Sequence, residues 1–306
     1  MSDNLKGILA MLASAAGFVT NDAIVKFVTQ ELPNGQIIFL RGLAATALMG
    51  VITTIMGGWS SPVVLLRPAM ALRLAAAAFA TLFIVAALRH MPLATTNAIL
   101  QVSPLLVTAG AAILLGAHVG WRRWSASFVG FLGVLLIVKP GMDGFVPEAL
   151  LVIVALVGSA GRDLITRFVD QSIPSIFVTF ATSATVTLVG LGLMPFETWI
   201  MPSPRAVWLI LLASVCLFFA YHFGVVAMRT GEIPVVAPFR YTSVVLALVL
   251  GIAIWGYIPD PVSLAGIALI VLAGLYLLYR ERVVARERAS SRQAAPARTP
   301  GTRGVS

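Results

Sequence analysis

Ten apolar runs, separated by short breaks rich in proline, glycine and charge, organise the chain. They cover 5–29, 34–57, 69–88, 92–116, 122–139, 147–167, 173–194, 205–227, 232–255 and 261–280. At a helical rise of about 1.5 Å per residue, some 20 residues cross a hydrocarbon core of about 30 Å. The runs are continuously apolar and do not alternate with period two, which predicts helices and not barrel strands. The pattern is that of an all-α, polytopic membrane protein with ten transmembrane helices, numbered here as spans 1 to 10.

Spans 1 and 6 end on the same twelve-residue motif. Asp22-Ala-Ile-Val-Lys-Phe-Val-Thr-Gln-Glu-Leu-Pro33 and Asp163-Leu-Ile-Thr-Arg-Phe-Val-Asp-Gln-Ser-Ile-Pro174 agree at six positions, and Lys26 matches Arg167 in charge. Five spans per half is an odd number, so the second half enters the bilayer from the opposite side. The expectation is a 5+5 inverted-topology repeat, with residues 1–141 as the first repeat, 142–282 as the second, and a site at the midplane between them.

Composition agrees with residence in lipid: 59% of residues are hydrophobic and 11% charged, with mean hydropathy +0.97. Lys6 and Ala13-Ser14-Ala15 imitate a signal peptide, yet the apolar run continues to Val28, so an uncleaved first span is expected. The net charge of +9 is distributed by side and is no sign of nucleic acid. With the N-terminus inside, Lys6, Arg67, Arg73, Arg122, Arg123, Arg167, Arg229 and the seven arginines from Arg280 to Arg303 face the cytoplasm. Lys26, Arg89, Lys139 and Arg205 face outward, a positive-inside distribution that predicts a multi-pass inner-membrane protein with both termini cytoplasmic. Residues 283–306 lack apolar periodicity and are expected to form a disordered basic tail on the cytoplasmic side. The lone Cys216 leaves no intrachain disulfide to form and reads as a small buried residue.

Ionisable residues at membrane depth cost about 2.5 to 3.5 kcal/mol on insertion scales, so each needs a partner or a wet cavity. Asp22 in span 1 and Arg41 in span 2 lie at one depth, with Lys26 a helical turn from Asp22. In the second half Arg162, Asp163 and Arg167 end span 6, and Arg240 in span 9 is expected within reach of Asp163. These two clusters read either as substrate-binding and gating charges or as ion pairs that staple helices; Lys26 and Arg167 read as snorkelling to the headgroups. Asp22 and His222 are the possible proton sites.

Spans 4 and 9 add polar and helix-breaking residues at mid-depth: Asn97, Gln101, Ser103 and Pro104 in one, Pro234, Pro238, Arg240, Tyr241 and Ser243 in the other. Aligning Arg89 with Arg229 sets Gln101 opposite Tyr241. A proline frees a carbonyl that a neighbour, water or ligand must satisfy, so both helices read as cavity walls, with Asn97, Gln101 and Tyr241 as lining hydrogen-bonders. Glycines at 130 and 133, 190 and 192, and 266 to 274 are expected to allow close helix packing. No phosphate-binding Gly-Lys loop, zinc-binding His-Glu motif or nucleophile elbow occurs, so no cofactor, metal, catalytic residue or ATPase subunit is implied.

Segments in order along the chain resemble the EamA branch of the drug/metabolite transporter superfamily: Asp22-Ala-Ile-Val-Lys26, Phe39-Leu-Arg41-Gly42, Met91 through Pro104, Val119 through Trp124, Gly130 through Gly141, Ala237 through Ser243, and Gly266 through Arg280. The Gly-Glu pair that ends spans 4 and 9 in relatives is Gly116-Ala117 and Gly256-Tyr257 here, so any role of those glutamates does not carry over. The resemblance implies a secondary transporter that moves small organic metabolites by alternating access, with spans 5 and 10 peripheral. Export of neutral or aromatic amino acids is the leading expectation. The alternatives are uptake of a vitamin or nucleoside-like compound of the flavin type and, in another class, a lipid-modifying membrane enzyme.

Overall fold

Prolines mark where helices begin. Pro68, Pro204 and Pro261 are the first residues of their helices, and Pro33, Pro92 and Pro174 stand immediately before theirs. At those positions the missing N–H removes no helical bond, and the fixed φ is already suited to a helix start. The computed structural model describes residues 3–115, 120–139, 147–170, 172–230 and 236–294.

Spans 1 to 3 are α1 (Asp3–Val28), α2 (Asn34–Ile55) and α3 (Pro68–His90). Span 4 is split into α4 (Leu93–Leu100) and α5 (Ser103–Leu115). Pro104 cannot donate to the carbonyl four residues earlier, and the helix breaks at Gln101 and Val102. Then follow α6 (Trp121–Val138), α7 (Ala149–Ile165), α8 (Ser175–Leu193) and α9 (Pro204–Thr230) for spans 5 to 8. Span 9 enters as a tight 3-10 turn, Ala237–Tyr241, and continues as α10 (Thr242–Trp255); its expected start at 232–235 lies outside the described residues. Among the described residues six helices are long and apolar enough to cross a membrane unaided, and shorter apolar helices complete the set.

The last helix, α11 (Pro261–Ala294), corrects the expectation of a tail without structure from residue 283. Glu281, Arg282, Ala285, Arg286, Glu287, Arg288 and Ala289 are good helix formers and extend the span beyond its apolar part. The remainder of the tail, 295–306, lies outside the described residues.

The pairing of spans carries the symmetry. Span 1 packs on span 8 and span 3 on span 6, while span 2 packs on span 7 and span 5 on span 10. Spans 4 and 9 cross each other, and lean on spans 6 and 1 respectively. Renumbering every span by five exchanges 1–8 with 6–3 and 4–6 with 9–1, and returns 2–7, 4–9 and 5–10 to themselves. That is the contact pattern of two like halves related by a two-fold axis that passes between spans 2 and 7, 4 and 9, and 5 and 10. The fold is all-α, with ten membrane spans in a 5+5 inverted arrangement.

Glycines let the self-paired spans approach. A Cβ on Gly266 would lie 2.6 Å from the Gly133 carbonyl oxygen, and one on Gly190 would collide with the backbone of Phe39. Gly192 faces open space and plays no part in this packing, contrary to the sequence expectation.

The face opposite the termini is sealed. Val25, Val28, Leu32, Ile37, Leu88, Leu93 and Ala206 are buried in one cluster there. The Gln36 amide donates to the Ile200 carbonyl at 2.6 Å and accepts from its N–H at 3.1 Å, and the Gly35 N–H donates to Glu197 at 2.8 Å. On the same face Lys139, which ends α6 with a left-handed φ of 51°, pairs with Asp260 at 2.9 Å. Asp260 also accepts from Ser263 Oγ at 2.6 Å and from the N–H groups of Val262 and Ser263, so it caps α11. Those donors hold its carboxyl well below the usual carboxylate range.

Candidate functional site: two polar clusters between the halves

Asp22 and Arg41 do come together, but through an intermediary. Arg41, buried in α2, donates from Nη1 to Asn21 Oδ1 at 3.4 Å, and Asn21 Nδ2 donates to Asp22 Oδ1 at 3.0 Å. The other Asp22 oxygen accepts from Asn97 Nδ2 at 3.4 Å. Spans 1, 2 and 4 are thus tied by a chain of one guanidinium, two amides and one carboxylate. Among the described residues Asp22 and Arg41 form no direct ion pair, so the carboxylate retains acceptor capacity and the guanidinium retains unspent donors.

Lys26 leaves this cluster. Its ammonium donates to the carbonyls of Leu88 at 2.9 Å and Met91 at 2.7 Å and lies 5.6 Å from the Trp255 ring centre. The snorkelling expectation is therefore corrected: the last carbonyls of α3 have no helical partners, and a cation there satisfies them and complements the helix dipole.

A second cluster lies towards the face that carries the termini. Arg162 binds Asp163, its neighbour in α7, at 2.8 Å. Arg73, in the second turn of α3, donates from Nε to Thr166 Oγ1 at 3.0 Å and from Nη1 to Thr182 Oγ1 at 2.8 Å. The expected pairing of Asp163 with Arg240 is not formed; Arg240 is exposed, and Arg162 is one residue from Asp163 and wins by proximity. The side chain of Arg167 lies outside the described residues.

The two clusters are images of one another. A shift of 141 residues carries Asn21 and Asp22 onto Arg162 and Asp163, and in each pair the first residue donates to the second. The same shift carries Arg73 onto Ser214 and Arg41 onto Thr182. Arg73 donates to Thr182, and Ser214 donates to the carbonyl of Arg41 at 3.2 Å.

Between the clusters stands Tyr221 of α9, which the sequence reading missed. Trp208, Leu211, Leu212, Val215 and Phe219 mark the lipid-facing stripe of that helix. Counting 100° per residue sets Tyr221 on the far side from the stripe, towards the bundle, yet it is 39% exposed, so its ring is not packed shut there. It meets Phe18 edge-on at 5.1 Å and lies within electrostatic range of Arg41, Arg73 and Arg162. Its neighbour His222 falls on the lipid-facing stripe, stacked on Phe218 at 6.0 Å, and does not reach either cluster.

Spans 4 and 9 meet where both are distorted. The Gln101 amide donates to the Arg240 carbonyl at 3.0 Å and to the Ser243 hydroxyl, within one or two residues of the expected register. Tyr241 is buried with its hydroxyl against Gly274 of α11, so it fills a helix contact and is not the lining residue expected.

Comparison with known proteins agrees with this two-fold plan. The EamA-like transporter family matches the chain twice, over residues 5–139 and 146–280. The pseudopaline exporter CntI of Pseudomonas aeruginosa (strain UCBPP-PA14) is 29% identical, with 88% of this chain and 94% of that protein aligned. An S-adenosylmethionine uptake transporter of Rickettsia prowazekii is 27% identical over 62% of this chain and 65% of its own length. A riboflavin transporter of Rhizobium johnstonii is 29% identical over 64% of this chain and 65% of its own length. The chain thus spans a little under two thirds of those two relatives. A solved crystal structure shares the fold at a TM-score of 0.60 and 18% identity, covering 92% of this chain and 98% of that one. The lipid-enzyme alternative falls with these matches, which are to transporters. The repeated match, one half at a time, identifies the chain as a member of the EamA-like transporter family, in the drug/metabolite transporter superfamily: a membrane transporter of small metabolites.

Proposed function

We propose that the chain is an exporter of neutral or aromatic amino acids or related carboxylate-bearing metabolites, working by alternating access between the halves 1–141 and 142–282. The observation that carries this reading is Arg41, a buried guanidinium between the halves whose side-chain partner is a neutral amide. A carboxylate is the natural ligand of such a fork, and the apolar walls around Phe18 and Tyr221 suit a hydrophobic side chain. The near full-length match to an exporter favours outward flux. Asp22, with amide donors only, is the candidate proton site, and the arginine-rich face is assigned to the cytoplasm by the positive-inside rule.

The test is transport of L-tryptophan by proteoliposomes carrying the wild type, Arg41→Ala or Asp22→Asn. Loss of flux in both variants supports the roles given; unchanged flux in both removes these residues from the mechanism. Uptake of a flavin-type compound is the second reading, favoured by the riboflavin-transporting relatives, and competition by riboflavin but not by tryptophan would select it.

A further inference from the structure

The two clusters share a plan but differ in charge. On the sealed side the two-fold supplies one guanidinium, Arg41, and one carboxylate, Asp22, with the neutral Asn21 between them. On the terminus side the place of Asn21 is taken by Arg162, and a further guanidinium, Arg73, joins it beside a single carboxylate, Asp163. Asp163 is already engaged by Arg162 at 2.8 Å, and Arg73 rests on two threonine hydroxyls. Among the described residues this cluster therefore holds one positive charge more than its counterpart, inside a membrane where an uncompensated charge is costly.

Tyr221 is the remaining wall. It lies on the bundle side of α9, partly exposed, and within electrostatic range of both Arg73 and Arg162. Two of the five N–H donors of Arg73 are spent, so the guanidinium has donors left for a planar anion, and a phenol adds one more.

We infer that Arg73, Arg162 and Tyr221 form an anion-loading station for a carboxylate group on the terminus-bearing side of the seam, distinct from Arg41. The station rests on the carrier reading above in taking the seam as the substrate's route, and it adds a specificity: the carboxylate is selected on entry, before it meets Arg41. The electrically balanced cluster around Arg41 and Asp22 then holds the same group less firmly, which favours release across the sealed side once that side opens.

The test uses the full chain in lipid nanodiscs, with benzoate and its neutral isostere benzamide as probes. A ligand that binds only the folded form raises the melting temperature in a saturable way. Benzoate is expected to raise it and benzamide to leave it unchanged; Arg73→Gln is expected to abolish the benzoate shift and Tyr221→Phe to weaken it. Equal shifts for the two probes, or none, in the wild type would overturn the station, as would an undiminished benzoate shift in Arg73→Gln. If Arg73→Gln does not fold, Arg73→Lys decides: it keeps the charge but loses the fork, and apparent benzoate affinity should fall about threefold or more. An undiminished affinity there overturns the proposal equally. Transport of L-phenylalanine read in parallel separates the two ideas. Benzoate selectivity without amino-acid transport leaves the station standing and ends the amino-acid reading; transport without selectivity does the reverse.

Discussion

Arg41 reaches Asp22 through Asn21: the guanidinium lies 3.4 Å from the amide oxygen, and the amide nitrogen lies 3.0 Å from the carboxylate. A direct pair would lock both charges in one geometry. An amide between them keeps them apart and leaves each with capacity for a ligand or a proton.

Asn21→Leu should therefore disable the carrier without unfolding it. The substitution keeps the volume of the side chain, removes the bridge, and leaves Arg41 without its amide acceptor. Transport in proteoliposomes is expected to fall by about tenfold or more, on the scale of losing one charge-assisted hydrogen bond of about 1.5 to 3 kcal/mol. Asn21→Gln, which can still bridge, should retain more flux than Asn21→Leu.

Removal of the Lys26 ammonium should be felt as stability. Lys26→Met strips the carbonyls of Leu88 and Met91 of a shared donor in a partly buried setting. The expected cost is about 1 to 3 kcal/mol, read as a lower melting temperature of the purified protein. Trp255→Leu removes the ring beside the ammonium together with its packing on the buried cluster, and should cost about 1 kcal/mol or more.

The glycine contacts supply a prediction with its own control. Gly266→Ala would push a methyl to 2.6 Å from the Gly133 carbonyl oxygen, where backbone and not a flexible side chain must yield. A loss of about 1 to 3 kcal/mol is expected from such overpacking. Gly192→Ala meets nothing within 4 Å and should leave the melting temperature at or above that of the wild type.

Acid should undo the contact between Lys139 and Asp260. Hydrogen bonds from Ser263 and Lys139 depress the Asp260 carboxyl when the protein is folded, whereas in the unfolded chain it titrates near an ordinary value of about 3.9. The contribution of this group is complete above about pH 5 and is lost as pH falls below the unfolded value towards the folded one. Asp260→Asn is thus expected to lower the melting temperature at pH 7, and the gap to wild type should narrow between pH 4 and pH 3.

The ten spans and the duplicated Asp-to-Pro motif were legible because apolar length and repetition are properties of the chain itself. Asp22 and Arg41 were legible together because equal depth in neighbouring spans limits where charges can meet, whereas Asn97 was legible only as a polar residue of span 4 and not as a partner of Asp22. Lys26 was not, since its partners are backbone carbonyls of another span, to which sequence gives no clue. Arg73 was hidden by its place near the start of span 3, where it counted as one more cytoplasmic-side charge and not as a partner of span 7. Tyr221 was hidden by its surroundings, as a phenol among phenylalanines and alanines reads as one more apolar residue until the turn of the helix is known. Arg240 was assigned to Asp163 by depth alone, and the adjacent Arg162 took that partner first.

The repeated motif remains helical as far as Val28 in its first copy, but in its second copy the helix stops at Ile165 and tightens into a 3-10 turn at Thr166–Phe168. One sequence plan therefore rests in two shapes within a single molecule. If each half adopts the posture now held by the other, the sealed face passes to the side that carries the termini, and the opposite-facing form needs no architecture that the molecule does not already contain.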